Sequence, residues 1–173
     1  MDNIFDTGLP VSLEEILSNR EWREERISVL TADFPEDTII SLKLNIPGPL
    51  KNNEKFQEIF EIGWKVFCQD AIGSEKHLER PTGPEGFLVM LDDLETVKRD
   101  AIDFEENSPL GRLFDSDDMK DGNQLSRTVL GFPQRTCFVC DRPAKECARD
   151  QRHSREEIQK AINKLVDKAD DSR

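Results

Sequence analysis

The sequence predicts a mixed α+β fold built as a single domain over residues 1–173, and three observations carry that reading. Thr38 to Ile46 alternates apolar and polar residues with period two. Phe56, Ile59, Phe60, Gly63 and Phe67 recur at helical spacing. The elements then follow one another as helix, strand, helix, strand, helix, strand. At 173 residues the chain can bury one real core.

Charge narrows the classes of partner. Asp and Glu outnumber Lys and Arg by 36 to 24, for a net charge of −12. Extended nucleic acid is therefore not an expected partner, because neutralising a phosphate backbone needs a basic face. No apolar run of about 18 residues is present, so no membrane span is expected. Met1 to Asp6 lacks the basic and apolar regions of a signal peptide, and a cytoplasmic location is expected.

Residues 1–11 read as a flexible arm. Ser12-Leu13-Glu14-Glu15 is a capping box that opens a helix reaching about Leu30, and Asp33-Phe34-Pro35 stops it. The strand from Thr38 places Ile40, Leu42, Leu44 and Ile46 on one face and Ser41, Lys43 and Asn45 on the other. Pro47-Gly48-Pro49 ends it, with Lys51 in the exit loop. Asn53 caps the second helix, which ends near Ile72-Gly73-Ser74, and His77 follows in a polar connection. Phe87 to Leu91 is a short apolar strand. Asp93 caps a third helix with Leu94, Val97, Ala101 and Phe104 turned inward. Asp121-Gly122-Asn123 is a turn that leads into a strand from Gln124 to Leu130, placing Arg127 across a hairpin from the preceding strand. A second capping box, Ser154 to Glu157, starts a C-terminal helix over 154–169.

Two stretches carry chemistry. The first is Gly111-Arg112-Leu113-Phe114-Asp115-Ser116-Asp117-Asp118. On a strand, Asp115 and Asp117 share a face about 7 Å apart along the chain, as carboxylates holding Mg²⁺ do. The glycine before them would let backbone approach a phosphate. An acidic surface strand fits the same letters. The second is Cys137-x₂-Cys140-x₆-Cys147-x₅-His153, a Cys/His subregion over 137–153. Three thiols and an imidazole make a tetrahedral zinc set. Free buried thiols and a redox Cys-x-x-Cys pair are the other readings of these residues.

Beyond these, the chain resembles the holo-citrate lyase synthases, the apo-citrate lyase phosphoribosyl-dephospho-coenzyme A transferases. The resemblance rests on Ile46 to Lys51, Gly83 to Gly86, Ser108 to Asp117, Leu125 to Arg127, Arg135 to Cys137 and the Cys140, Cys147 and His153 spacing. It covers nearly the whole chain. It implies a small nucleotidyltransferase-like sheet flanked by helices. It also implies transfer of 2′-(5″-triphosphoribosyl)-3′-dephospho-coenzyme A to a serine of the citrate lyase acyl carrier protein, the γ subunit, with release of pyrophosphate. Mg²⁺ would then sit on Asp115 and Asp117, and Arg112, Arg127, Arg135, Lys51 and Gly111 would meet the phosphates. Each of those arginines reads equally well as half of a surface ion pair. A third acidic ligand could come from Asp103, Glu105 or Asp118. Ser116 and Asp118 depart from the family's apolar pattern, which would leave the strand less buried. The alternatives are a non-catalytic carrier-binding assembly factor of the same fold, a zinc-stabilised interaction domain, and the corresponding transferase for the malonate decarboxylase carrier.

Overall fold

The structure is a computed structural model that describes residues 2–173. Its centre is a five-stranded, wholly antiparallel sheet in the order β2-β3-β1-β4-β5. The strands are β1 (Thr38–Leu44), β2 (Ala71–His77), β3 (Glu85–Met90), β4 (Phe114–Lys120) and β5 (Asn123–Gln124). The helices are α1 (Leu13–Asp33), α2 (Glu54–Phe67), α3 (Leu94–Asn107), α4 (Ala144–Arg149) and α5 (Arg155–Asp171). Among the described residues, no helix is long and apolar enough to cross a membrane.

One face of the sheet is the core. Ile40 and Leu42 of β1, Leu88 of β3 and Phe114 of β4 pack with Phe56, Ile59 and Phe60 of α2, Val97 of α3 and Ile162 and Val166 of α5. The period-two pattern of β1 and the helical stripes of α2 and α5 each turned their apolar side to this layer. Backbone contact is close enough to require glycine at Gly63, where a Cβ would lie 2.4 Å from the Phe114 ring.

The opposite face is divided. Over β2 and β3 it is clasped by α1 through polar contacts. Buried Asn19 donates to Glu85 at 2.7 Å, Arg23 pairs with Glu85 at 2.6 Å, and Arg26 pairs with Glu75 at 2.6 Å. Trp22 packs on Phe87 with ring centroids 5.7 Å apart. The β1–β4 half of this face is left for the site described below.

Four expectations are corrected. Residues 71–77 form β2 and not a helix end with a polar connection. Its sequence has few apolar residues because it is an edge strand, held by its ladder to β3. The strand expected over Gln124 to Leu130 is only Asn123–Gln124. Beyond it the backbone turns on itself, with the Phe132 and Leu130 amides donating to the Arg127 carbonyl. Residues of the expected N-terminal arm pack on the domain: Ile4 is buried and its amide donates to Asn163, and the Val11 amide donates to the Pro49 carbonyl. Finally, Ser116 and Asp118 do not thin the burial of β4. Both point into the α3 side of the sheet, at 2% and 0% exposure, and Ser116 donates to Asp118 at 2.7 Å.

Asp118 is a buried acid beside Lys98 of α3, 3.2 Å away. Burial pushes its pKa up from 3.8 to about 6, with Lys98 pulling against that shift. The folded chain thus holds this proton more tightly than the unfolded chain. The stabilisation is complete below about 4 and is lost as pH rises through about 6. Urea unfolding of the wild type and Asp118→Asn across this range should show the wild type losing stability relative to the variant as pH rises. Parallel pH profiles would show that Asp118 does not titrate there.

Candidate active site

The site lies on the open half of the second sheet face. Period-two geometry and the β1–β4 register place Lys43 directly opposite Asp115, and Ser41 opposite Asp117. Lys43 Nζ lies 2.9 Å from Asp115 Oδ2 and 2.9 Å from Asp117 Oδ2. The two carboxylates therefore converge on one cation position. Gln124 of β5 donates to the other Asp117 oxygen at 3.0 Å. Burial works against the ammonium of Lys43, but Asp115 and Asp117 outweigh it and raise its pKa. Burial likewise opposes ionisation of Asp115, and Lys43 overrides it to lower the Asp115 pKa. Both groups stay charged at neutral pH.

These carboxylates form one wall of a cavity of about 550 Å³ that also takes in Arg112, Arg127, Arg135 and Lys145. Its size is in the ~300–1,000 Å³ range of small-ligand sites. It runs beside the part of β4 that precedes the short ladder with β5, which joins only Met119 and Lys120 to that strand.

Arg112 is the most exacting member. Its Nε and Nη2 donate to the Thr136 carbonyl at 3.2 and 2.6 Å, and its guanidinium stacks 3.9 Å from the Phe138 ring centroid. Its third nitrogen, Nη1, is buried and has no protein acceptor. Burial, together with the neighbouring Arg135, lowers the Arg112 pKa to about 10, so the group remains a cation. Arg112 also borders a second hollow of about 700 Å³, shared through Asn45 and Ala144. Arg135 donates to the Arg112 carbonyl at 2.7 Å and points the same cationic wall inward.

Asp115, Asp117, Arg112, Arg127 and Arg135 are thus brought together as the sequence predicts. Arg127 gets there differently from the expected hairpin. Its guanidinium pairs with Glu105 at 2.8 Å and Glu106 at 3.2 Å, which tie it to the end of α3. Lys51 is not in the cavity; its ammonium donates to the Ile46 carbonyl, closing its own loop. Gly111 serves packing. A Cβ there would lie 2.1 Å from the Phe104 carbonyl oxygen, so the short turn Gly111–Leu113 rests against the end of α3. Of the three candidates for a further acidic ligand, Asp118 faces the other side of the sheet, while Glu105 lines the cavity already paired with Arg127. Sequence reading missed Lys43, although it is the one charged residue of the alternating strand Thr38–Leu44 and shares that strand's polar face with Ser41.

Cys137, Cys140, Cys147 and His153 converge as well, with one donor atom from each lying within 4.8 Å of the others. All four cysteines of the chain are free. Three of the cluster's donors line the second hollow, on the far side of Arg112 from the carboxylates.

The site thus belongs to an antiparallel α+β domain that sets paired carboxylates against converging guanidinium groups. The particular family follows from comparison with known sequences. Residues 11–169 match the family model described as apo-citrate lyase phosphoribosyl-dephospho-CoA transferase, and the chain belongs to that family. It is 41% identical over 169 residues to "Protein CitXG" of Leuconostoc mesenteroides subsp. cremoris, which covers 94% of this chain but only 36% of that longer protein. It is 37% identical to the "Probable apo-citrate lyase phosphoribosyl-dephospho-CoA transferase" of Streptococcus pyogenes serotype M18, covering 94% of this chain and 88% of that one. A Citrobacter koseri protein named as the same transferase is 32% identical, with 94% and 92% covered.

The packing role of Gly111 can be checked apart from any activity. Gly111→Ala should lower the free energy of unfolding by about 1–3 kcal/mol in urea titration, since a Cβ must push backbone aside. An unchanged midpoint would return Gly111 to the ligand-facing role.

Proposed function

We propose that this chain attaches the 2′-(5″-triphosphoribosyl)-3′-dephospho-coenzyme A group to a serine of the citrate lyase acyl carrier protein, releasing pyrophosphate. Family membership and the names of the relatives support the transferase class. The observation that carries the chemistry is the convergence of Asp115 and Asp117 on one cation position in a cavity lined by arginines.

The donor set fits Mg²⁺. Both ligands are hard carboxylate oxygens, the Lys43 ammonium already marks a point that both reach, and substrate phosphates would complete the shell. Magnesium on Asp115 and Asp117 would neutralise polyphosphate charge and make a bound hydroxyl more acidic. The protein's own groups do the rest. Arg112 offers its unspent Nη1–H to a phosphate oxygen, and Arg135 stands beside it. Asp115 remains ionised at neutral pH. Lys43 neutralises the pair when no metal is held there. With the triphosphate fixed along this wall, the serine hydroxyl attacks the α-phosphorus. A serine Oγ–P bond forms and the bond from that phosphorus to the bridging oxygen breaks. Pyrophosphate leaves with the electron pair, and the serine proton passes to solvent. In-line placement and charge stabilisation account for such catalysis without a covalent enzyme intermediate.

Ser116 and Asp118, the departures that would favour a non-catalytic assembly factor, bond each other on the opposite sheet face and leave the carboxylate pair intact.

The test incubates the chain with Mg²⁺, the triphosphate substrate and purified apo-carriers of citrate lyase and of malonate decarboxylase. The citrate lyase carrier alone should gain the mass of the group, with one pyrophosphate released per carrier. Asp115→Ala and Asp117→Ala should each lose at least about a hundredfold in kcat while circular dichroism stays native. Full activity in either variant would remove the metal role, and carrier binding without mass gain by the wild type would favour the assembly factor.

A further inference from the structure

The Cys/His subregion has little regular structure of its own, though Phe138 packs against the core and Cys147 is buried. Between residues 137 and 153 the only helix is α4, six residues long and without a side-chain cap. An isolated helix that short is not stable in water. Yet three cysteines and a histidine from separate segments meet here. Cys137 and Cys140 lie on a loop, Cys147 is buried on α4, and His153 immediately precedes the Ser154 cap of α5. Cys140 Sγ is 3.4 Å from Cys147 Sγ and 3.3 Å from His153 Nε2. Thiolates at ~2.3 Å from a tetrahedral zinc stand about 3.8 Å apart, so small shifts close the set around one ion. The loop already has a knuckle's form, with the Val139 amide donating to Cys137 Sγ at 3.4 Å. Three soft sulfurs and one imidazole select zinc over the hard cations suited to Asp115 and Asp117.

The same loop grips the cationic wall. Thr136 and Phe138 flank Cys137, and these two residues hold Arg112 by its carbonyl and its ring. The Ala144 amide donates to the Arg135 carbonyl at 2.8 Å, and the Cys137 amide to the Arg142 carbonyl at 2.8 Å. We infer that Cys137, Cys140, Cys147 and His153 bind one zinc ion, and that this ion positions Arg112 and Arg135 for phosphate contact. The metal site stands on its own geometry, whereas its positioning role rests on the transferase reading above. Cys137, Cys140, Cys147 and His153 touch no substrate in this account. Zinc binding to them orders the loop and, through the loop, the guanidinium groups.

The full chain, untagged and purified under reducing conditions from zinc-replete cells, should contain one zinc per chain by elemental analysis. Replacement by Co²⁺ should give thiolate-to-cobalt absorption that shifts in His153→Cys, which keeps four ligands, and is lost in Cys140→Ala. A reduced protein without zinc, and with no cobalt absorption on titration, overturns the site whatever the transfer activity. Chelation that strips zinc should speed amide exchange at Cys137 and Ala144 and lower kcat/KM by about a hundredfold. Zinc loss with unchanged exchange at both amides overturns the positioning role, and that readout needs no substrate.

Discussion

The antiparallel register between β1 and β4 is the constraint on which the site depends. Because side chains alternate, a slip of one residue would send Asp115 and Asp117 into the core and bring Ser116 and Asp118 out. The register is held from the core side, where Leu44 meets Phe114, Leu42 meets Ser116 and Ile40 meets Asp118. Burial of these inward residues fixes which carboxylates look outward. The Lys43 contacts then follow, since its position opposite Asp115 lets one ammonium reach both acids. Packing on one face thus sets the electrostatics of the other.

Two kinds of ionic contact divide the second face between them. Toward β2 and β3, Glu85 is fully engaged by Arg23 and Asn19, and that half is closed. Toward β4, charges are less completely matched. Arg112 retains an unspent donor and Asp115 keeps its charge against burial. Buried charge without full compensation is costly to a fold and useful to a ligand site. Arg127 shows the contrasting case, a cation in the cavity already balanced by Glu105 and Glu106. It shapes the wall, while Arg112 keeps a buried nitrogen without a protein acceptor.

Much of the fold was legible because its signals were local. The capping boxes at Ser12 and Ser154 are formed as the sequence predicts, and the Asn53 and Asp93 caps likewise start their helices. The alternation of β1 and the shared face of Asp115 and Asp117 needed only period-two reasoning. What was hidden depends on partners distant in the chain. β2 has no apolar alternation and exists through β3. Arg127 is placed by glutamates about twenty residues back, not by a hairpin. Lys51 and Gly111 looked like phosphate ligands in their local motifs, but a carbonyl five residues away and the end of α3 claimed them. Asp118 looked like one more exposed acid and is the most deeply buried of the three, because strand parity turns it toward Lys98.

The sheet order has a bearing on biosynthesis. Lys43 and Asp117 are 74 residues apart in sequence, and β2, β3 and α3 lie between the two strands that carry them. A ribosome-bound chain that has emerged only through β3 can fold its first three strands against α1 and α2, yet it has no carboxylate pair. β4 must add to the edge left by β1, at the entropic cost of closing a long loop. The carboxylate pair is therefore assembled late, after the first three strands, and a half-made chain cannot present it.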